Sequence, residues 1–274
     1  MDKYQAIQTR NKMTMDCENC FALCCTALDI VASSDFAINK PAGIHCRNLQ
    51  ADFRCQIHST LREKGFKGCT VYDCLGAGQH VSQYTFKGKS WREYPEISSE
   101  MYQIFPKMEQ LIEMKAFLLE ALSYQLSPKL YKQLLNQLDT IETIVNETAE
   151  ELSSIDIYEY QVPIIELLSK ASNEIQRDLS KNVFHIPKGK NMSRKDFIGK
   201  NFANQDFRTY DFRGTYFIAA NLQNADFRGA NLIGVDFRDA NLNGANLSSS
   251  LFLTQMQVNS AKGNSNTILP AHIK

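Results

Sequence analysis

The chain has 274 residues, 43% of them hydrophobic and 22% charged, a composition that excludes a disordered tail and leaves room for about two domains. Its 30 basic and 30 acidic residues cancel, so no global field draws it to nucleic acid, anionic membrane or a polyacidic substrate. The opening MDKYQAIQTRNKMTMD lacks the apolar core of a signal peptide, and no later stretch reaches about 18 uninterrupted apolar residues, so a cytoplasmic protein is expected.

Residues 1–94 are rich in cysteine and in turn residues, among them PAG at 41–43 and GAG at 76–78. The GAG is too short for a phosphate loop and reads as a plain turn. All eight cysteines of the chain fall here: Cys17, Cys20, Cys24, Cys25, Cys46, Cys55, Cys69 and Cys74. In a reducing compartment such a cluster favours metal ligation over disulfides. The C-x2-C knuckle of Cys17 and Cys20 lets two thiolates face one ion from a tight turn, and soft thiolates suit zinc or an iron–sulfur cluster. Eight are enough for two such sites. His45 and His58 sit beside cysteines and are weaker ligand candidates, since an isolated histidine is more often an ordinary polar residue. A loop-rich segment of this length has little apolar surface, so metal is expected to contribute to its folding.

Residues 95–189 carry apolar side chains at helical spacing. Met101, Ile104, Met108, Leu111, Ile112, Leu118 and Leu122 form one stripe; Leu130, Leu134, Leu138, Ile141 and Ile144 a second; Ile164, Leu167, Leu168, Ala171, Ile175 and Leu179 a third. Three amphipathic helices are predicted, with Ser127 before Pro128 as one N-cap and Asp156 or Ser154 capping the last, whose Pro163 marks early turns or a kink.

Residues 190–254 hold an internal repeat. Stepping by five from Phe197 gives Phe202, Phe207, Phe212, Phe217, Leu222, Phe227, Leu232, Phe237, Leu242, Leu247 and Phe252 without a missed step. Two residues before these centres stand Ala220, Ala225, Ala230, Val235, Ala240 and Ala245, and one residue before most of them stands Asp or Asn. Neither a helix nor a strand has a period of five. The pattern resembles the pentapeptide-repeat family, in NADFRGANLIGVDFRDANLNGANL. That resemblance implies a right-handed quadrilateral β-helix, four pentads to a coil, with the centres and the small residues pointing inward. Lys195, Lys200, Gln205, Tyr210 and Thr215 replace the small residue early on, so the first coil is expected to be wider, irregular or covered by the helices, and the last pentad, SLFLT, to cap the other end. The polar tail, 255–274, carries no readable signal. The recurrent Asp–Phe–Arg at 206–208, 211–213, 226–228 and 236–238 is expected to form solvated outer ladders.

The cysteine segment resembles a bacterial cysteine-cluster family regarded as zinc- or iron-chelating, whose signature pairs C-x2-C with a downstream CC; here three residues, Phe21, Ala22 and Leu23, separate them instead of two. The stretch PAGIHCRNLQADFRCQIHSTLREKGFKGCTVYDCLGAGQ is also similar to a group of pentapeptide-repeat proteins with this module, some labelled as resistance proteins against the nucleoside antibiotic oxetanocin A. The expected fold is therefore mixed: a cysteine-rich N-terminal module, a central α-helical segment and a C-terminal β-helix. The leading functional reading is a non-enzymatic metal-binding protein, with zinc as cofactor, that presents the β-helix to a protein partner. The alternative is an iron–sulfur redox centre or metal-dependent enzyme built on the cysteines. Mimicry of DNA fits poorly, because basic and acidic residues are nearly balanced from Arg194 to Leu253, and neither nucleic acid nor membrane is expected as a partner.

Overall fold

The computed structural model describes residues 1–273. Its helices, in chain order, are α1 (Lys3–Asn11), α2 (Leu23–Thr26), α3 (Lys67–Val71), α4 (Ala77–His80), α5 (Ser98–Leu122), α6 (Pro128–Ile144), α7 (Ala149–Ser154), α8 (Ile157–Asp178) and α9 (Gln255–Ser260). The chain divides into two compact units. One comprises Met1–Asn11, Leu119–Leu134 and the chain from Ile165 onward; the other comprises Lys12–Leu118 and Leu135–Ile164. Among the described residues no helix is long and apolar enough to cross a membrane.

The three helices expected between 95 and 182 are α5, α6 and α8, and their stripes are buried: Met101, Met108 and Leu118 on α5, Leu134 and Leu138 on α6, Ile164 and Ala171 on α8. Asp156 caps α8, its Oδ1 accepting the Tyr158 N–H at 3.0 Å. Ser127 does not cap α6 with its side chain, because its hydroxyl donates to Glu174 at 2.8 Å. The short α7 was not foreseen from periodicity. It is opened by a reciprocal capping box of Thr148 and Glu151, which satisfies end groups that one and a half turns of helix would otherwise leave bare. Pro106 and Pro163 lie inside α5 and α8, where each removes one backbone donor.

The repeat winds with a register of 20 residues, four pentads to a coil: Asn191 bridges Asp211, Asp211 bridges Asn231, and Asn231 bridges Leu251, all in parallel. Each face is held by such single bridges. Continuous strands, which a β-helix reading leads one to expect, are absent among the described residues because every fifth residue turns a corner. The centres point inward: Phe212, Phe217, Leu222, Phe227, Leu232 and Phe237 are fully buried, with Ala220, Ala225, Ala230 and Ala240 beside them. Phe217 and Phe237, one coil apart, stack with centroids 5.8 Å apart and rings 8° from parallel. The twelfth centre departs from the count. Phe252 is buried, but it adopts φ +61° and Leu253 takes the place in the repeat core.

The tail is ordered, contrary to its silent sequence. Thr254 and Gln257 form a capping box at the start of α9, and the extended residues beyond it lie along the last coil, where Lys262 pairs with Asn241 and Ile268 with Asn246.

Candidate functional site

All eight thiols are free and lie in the unit of residues 12–118 and 135–164. Cys17, Cys20, Cys24 and Cys74 line one cavity of about 30 Å³, together with Tyr72, Gln79 and Phe105. Asp16 shapes the first turn by accepting the backbone N–H groups of Glu18 and Asn19 at 3.1 and 3.3 Å. Ala22, at φ +54°, then swings the chain into α2. On the far side Gly76, at φ +101°, opens α4, and Gly78 lets the backbone approach so closely that a Cβ there would lie 2.7 Å from the Cys20 sulfur. The turn glycines of GAG thus serve the thiols, a role the sequence reading did not assign. Gln79 locks the two segments together, donating to the Thr14 carbonyl at 2.8 Å and accepting the Asp16 N–H at 3.0 Å.

Backbone N–H groups are aimed at the sulfurs. Those of Leu23 and Ala22 reach Cys20, those of Gly78 and Gly76 reach Cys74, and that of Ile57 reaches Cys55. Such bonds favour thiolate. Burial opposes them and prevails: Cys20 is pushed up to about 11, and Cys74 and Cys17 are raised by the same desolvation. Cys24 donates to Cys25, which holds Cys24 protonated well above the usual thiol value and lowers Cys25, an effect the Lys40 ammonium reinforces.

The other four thiols, Cys25, Cys46, Cys55 and Cys69, form a second gathering. The Cys46 N–H donates to the Cys25 carbonyl at 2.9 Å, and Cys55 bridges Leu49, three residues past Cys46. Cys69 is exposed as a residue, yet desolvation of its thiol, with the nearby Cys25, Cys46 and Cys55 adding to it, pushes it up to about 12. Beside this group Lys40 is buried, its ammonium donating to the carbonyls of Leu28, Pro41 and Ile44, the last two at 3.1 and 3.0 Å. Among the described residues no three Cys, His, Asp or Glu side chains stand in finished metal-holding geometry; the thiols are gathered but not closed around a point. His45 and His58 are exposed and do not line the cavity, and the His45 ring faces Trp91 at 6.2 Å.

Tyr72 and Glu109 escaped the sequence reading. Tyr72 lines the thiol cavity and its hydroxyl donates to the Glu109 carboxylate. Burial pushes Glu109 up to about 7 and, with the Glu109 charge, raises Tyr72 far above its ordinary value. A carboxylate two positions before the apolar Leu111 and a tyrosine two before Cys74 were the available signals.

The outer faces of the repeat are less open than expected. Arg208, Arg213, Arg228 and Arg238 each fold back onto the aspartate two residues earlier, at 2.6–2.7 Å, and Arg208 and Arg228 flank the Phe184 ring at 5.4 and 5.3 Å. The charges are neutralised in pairs along the ladder.

The family of pentapeptide repeats matches residues 211–248 in eight copies. The chain is 50% identical over 263 residues to the uncharacterized protein YybG of Bacillus subtilis (strain 168), a match covering 96% of this chain and 93% of that one. Among solved structures it is similar to the pentapeptide repeat protein Rfr23 from the cyanobacterium Cyanothece 51142, 25% identical, covering 29% of this chain and 53% of that one with a TM-score of 0.26. A pentapeptide repeat protein of the Arabidopsis thaliana thylakoid lumen is 30% identical, covering 30% of this chain and 60% of that one with a TM-score of 0.14. The chain thus spans little more than half the length of these solved relatives. With its 20-residue register, its inward Phe and Leu centres and eight matched copies of the repeat, the chain belongs to the pentapeptide-repeat family.

Proposed function

We propose that the cysteine-bearing unit binds metal through its thiols and that the repeat is a rigid scaffold for a protein partner, the chain as a whole being non-enzymatic. One observation carries the metal reading: backbone N–H groups aimed at the sulfurs of Cys20 and Cys74 beside a cavity of about 30 Å³, room for one ion. Four soft thiols fit zinc or iron and suit magnesium or calcium poorly. Cys17, Cys20, Cys24 and Cys74 would hold one ion, and Cys25, Cys46, Cys55 and Cys69 a second. A cation bound there supplies the charge that turns buried thiols into thiolates and staples the loops. The scaffold reading rests on the regular coil and on outer faces whose charges are paired.

Elemental analysis after anaerobic purification should find zinc or iron, with Cys20→Ser and Cys74→Ser lowering the content of one site and Cys46→Ser and Cys69→Ser that of the other. Metal-free protein with eight titratable thiols overturns the reading. A metal-dependent enzyme is the second reading, favoured by the Tyr72–Glu109 pair at the cavity wall, since a catalytic ion keeps an open position. Visible absorption separates a coloured iron–sulfur cluster from colourless zinc thiolate. The resistance role attached to the cysteine-cluster resemblance is tested by the oxetanocin A sensitivity of a deletion strain.

A further inference from the structure

The two ends of the repeat differ. At the C-terminal end the chain's own tail covers the coil edge: the Lys262 N–H donates to the Ala240 carbonyl at 2.8 Å and the Leu242 N–H to the Lys262 carbonyl at 2.7 Å, and Ile268 repeats the pattern with Ala245 and Leu247 at 2.9 and 2.7 Å. At the N-terminal end the first coil opens at Lys190–Met192, which pair with Asp211 one coil on, and no described residue pairs with the outer edge of that coil. On the three faces that follow Asn191 the N–H groups of Asp196, Asn201 and Asp206 have no protein acceptor among the described residues, whereas their equivalents one coil on, Tyr216, Asn221 and Asp226, donate to Lys195, Lys200 and Gln205 at 2.9–3.0 Å. These edge residues are exposed. Uncovered ladder groups are a template for an added extended segment.

The inward pentad position selects what can be added. It holds Thr215, Ala220 and Ala225 in the second coil, all buried, but Lys195, Lys200 and Gln205 in the first, all exposed. Arg194 and Lys190 add exposed positive charge at the same end. In a second copy presenting the same end, Lys190, Arg194, Lys195 and Lys200 would meet their like with only Asp196 and the Arg208-paired Asp206 to offset them. We propose that this edge docks an extended acidic segment of a protein partner, which pairs with the free backbone groups of three faces and neutralises Lys195 and Lys200. This rests on reading the repeat as an interaction scaffold and does not depend on metal.

The test uses the full chain and synthetic peptides of three pentads bearing glutamate, or lysine, at alternate positions. The wild-type protein should bind the glutamate peptide and not the lysine peptide, weakening about tenfold or more at high salt, and binding should slow amide hydrogen exchange at Asp196, Asn201 and Asp206. Lys195→Ala/Lys200→Ala should lose most of this affinity, and Lys195→Glu/Lys200→Glu should exchange the preference; both sites are exposed, and circular dichroism confirms that the variants fold. Equal binding by the alanine variant would overturn this edge while leaving the repeat a scaffold; no binding of either peptide would overturn both. An end-to-end dimer with these amides already protected would show that the occupant is a second copy and would overturn the proposal.

Discussion

Glu120 and His272 sit in one buried pocket of the unit that carries the repeat, Oε2 and Nε2 3.9 Å apart. Glu120 Oε1 accepts the Phe252 N–H at 2.6 Å, its Oε2 has no hydrogen-bond partner among the described residues, and burial pushes the carboxyl from 4.5 up to about 7. His272 Nε2 donates to the Leu253 carbonyl at 3.2 Å, and burial, with the Arg10 charge behind it, pushes the imidazole from 6.5 down to about 4. The two shifts act oppositely on stability. A carboxyl raised on folding stabilises fully below pH 4.5 and loses that contribution as pH rises through 7; an imidazole depressed on folding stabilises above 6.5 and loses its contribution as pH falls through 4. Between pH 4.5 and 6.5 the folded pair holds on Glu120 the proton that the unfolded chain holds on His272, so the pair contributes no slope. Glu120→Gln, which keeps an acceptor for Phe252, should therefore make stability rise with pH from 4 to 6.5, and His272→Gln should make it fall from 4.5 to 7, each by on the order of 2–3 kcal/mol overall. Urea unfolding across this range reads both slopes, and parallel profiles for wild type and Glu120→Gln would refute the assignment. Glu120 was invisible in the sequence because a helical stripe counts apolar residues, and this one acid within LLEAL is buried with them.

Each pentad is a repeated corner, and besides the small inward residue three of its five positions have a physical role. The centre fills the core, so Phe227→Ala should cost about 3–5 kcal/mol. The Asp or Asn before it accepts the N–H two residues on, as Asn246 does from Ser248 at 3.1 Å, and the same bond recurs from Asn191 to Asn246 in every pentad except that of Tyr216. Asn246→Ala should cost only about 1 kcal/mol, because the freed Ser248 N–H lies at an exposed corner where water can take it. The residue two after the centre is left-handed, from Arg194 at φ +58° through Gly244 at φ +71°, which explains the Gly, Asn and Asp at that position: a Cβ there meets the following carbonyl. At Gly229 a Cβ would also lie 2.9 Å from a Leu179 methyl and 3.2 Å from Thr209, so Gly229→Ala should lower the melting temperature while Ala219→Gly, at an exposed corner with φ +54°, should leave it equal or higher. Equal effects of the two changes would mean that strain at the corner is not limiting. The period of five and the inward face were legible because they rest on hydrophobicity. The corner position was legible too, in Gly199, Asn204, Gly214, Asn224, Gly229, Gly234, Asp239 and Gly244, but only once the backbone shows why it must be special.

At the scale of the whole molecule, clustering in the sequence located the thiols but did not sort them. Spacing along the chain cannot say which loop returns Cys69 and Cys74, and it hides a simple consequence of α2: adjacent helical residues project about 100° apart, so Cys24 lines the cavity with Cys17, Cys20 and Cys74 while Cys25 does not. The doublet reads as one feature, and its two thiols part company in space. Metal ligated there would bind the folded state of one unit and not the other, which fixes the outcome of removing it. Ligand binding stabilises by mass action, and structural zinc sites contribute on the order of 10 kcal/mol, a large addition for a loop-rich segment from Lys12 to Tyr94 whose larger buried apolar side chains are Leu23, Ile30, Leu61, Phe66, Val81 and Phe86. The unit carrying the repeat has its own continuous core from Phe207 to Leu253 and no cysteine. Scanning calorimetry of the purified chain should therefore show two transitions, of which chelation lowers the one lost in Cys20→Ser and spares the one lowered by Phe227→Ala, with added zinc or iron restoring the first. If chelation shifts neither transition, the thiols are packing groups; if it shifts both equally, the two units do not unfold separately, and the repeat depends on the cysteines in a way that its own core does not suggest.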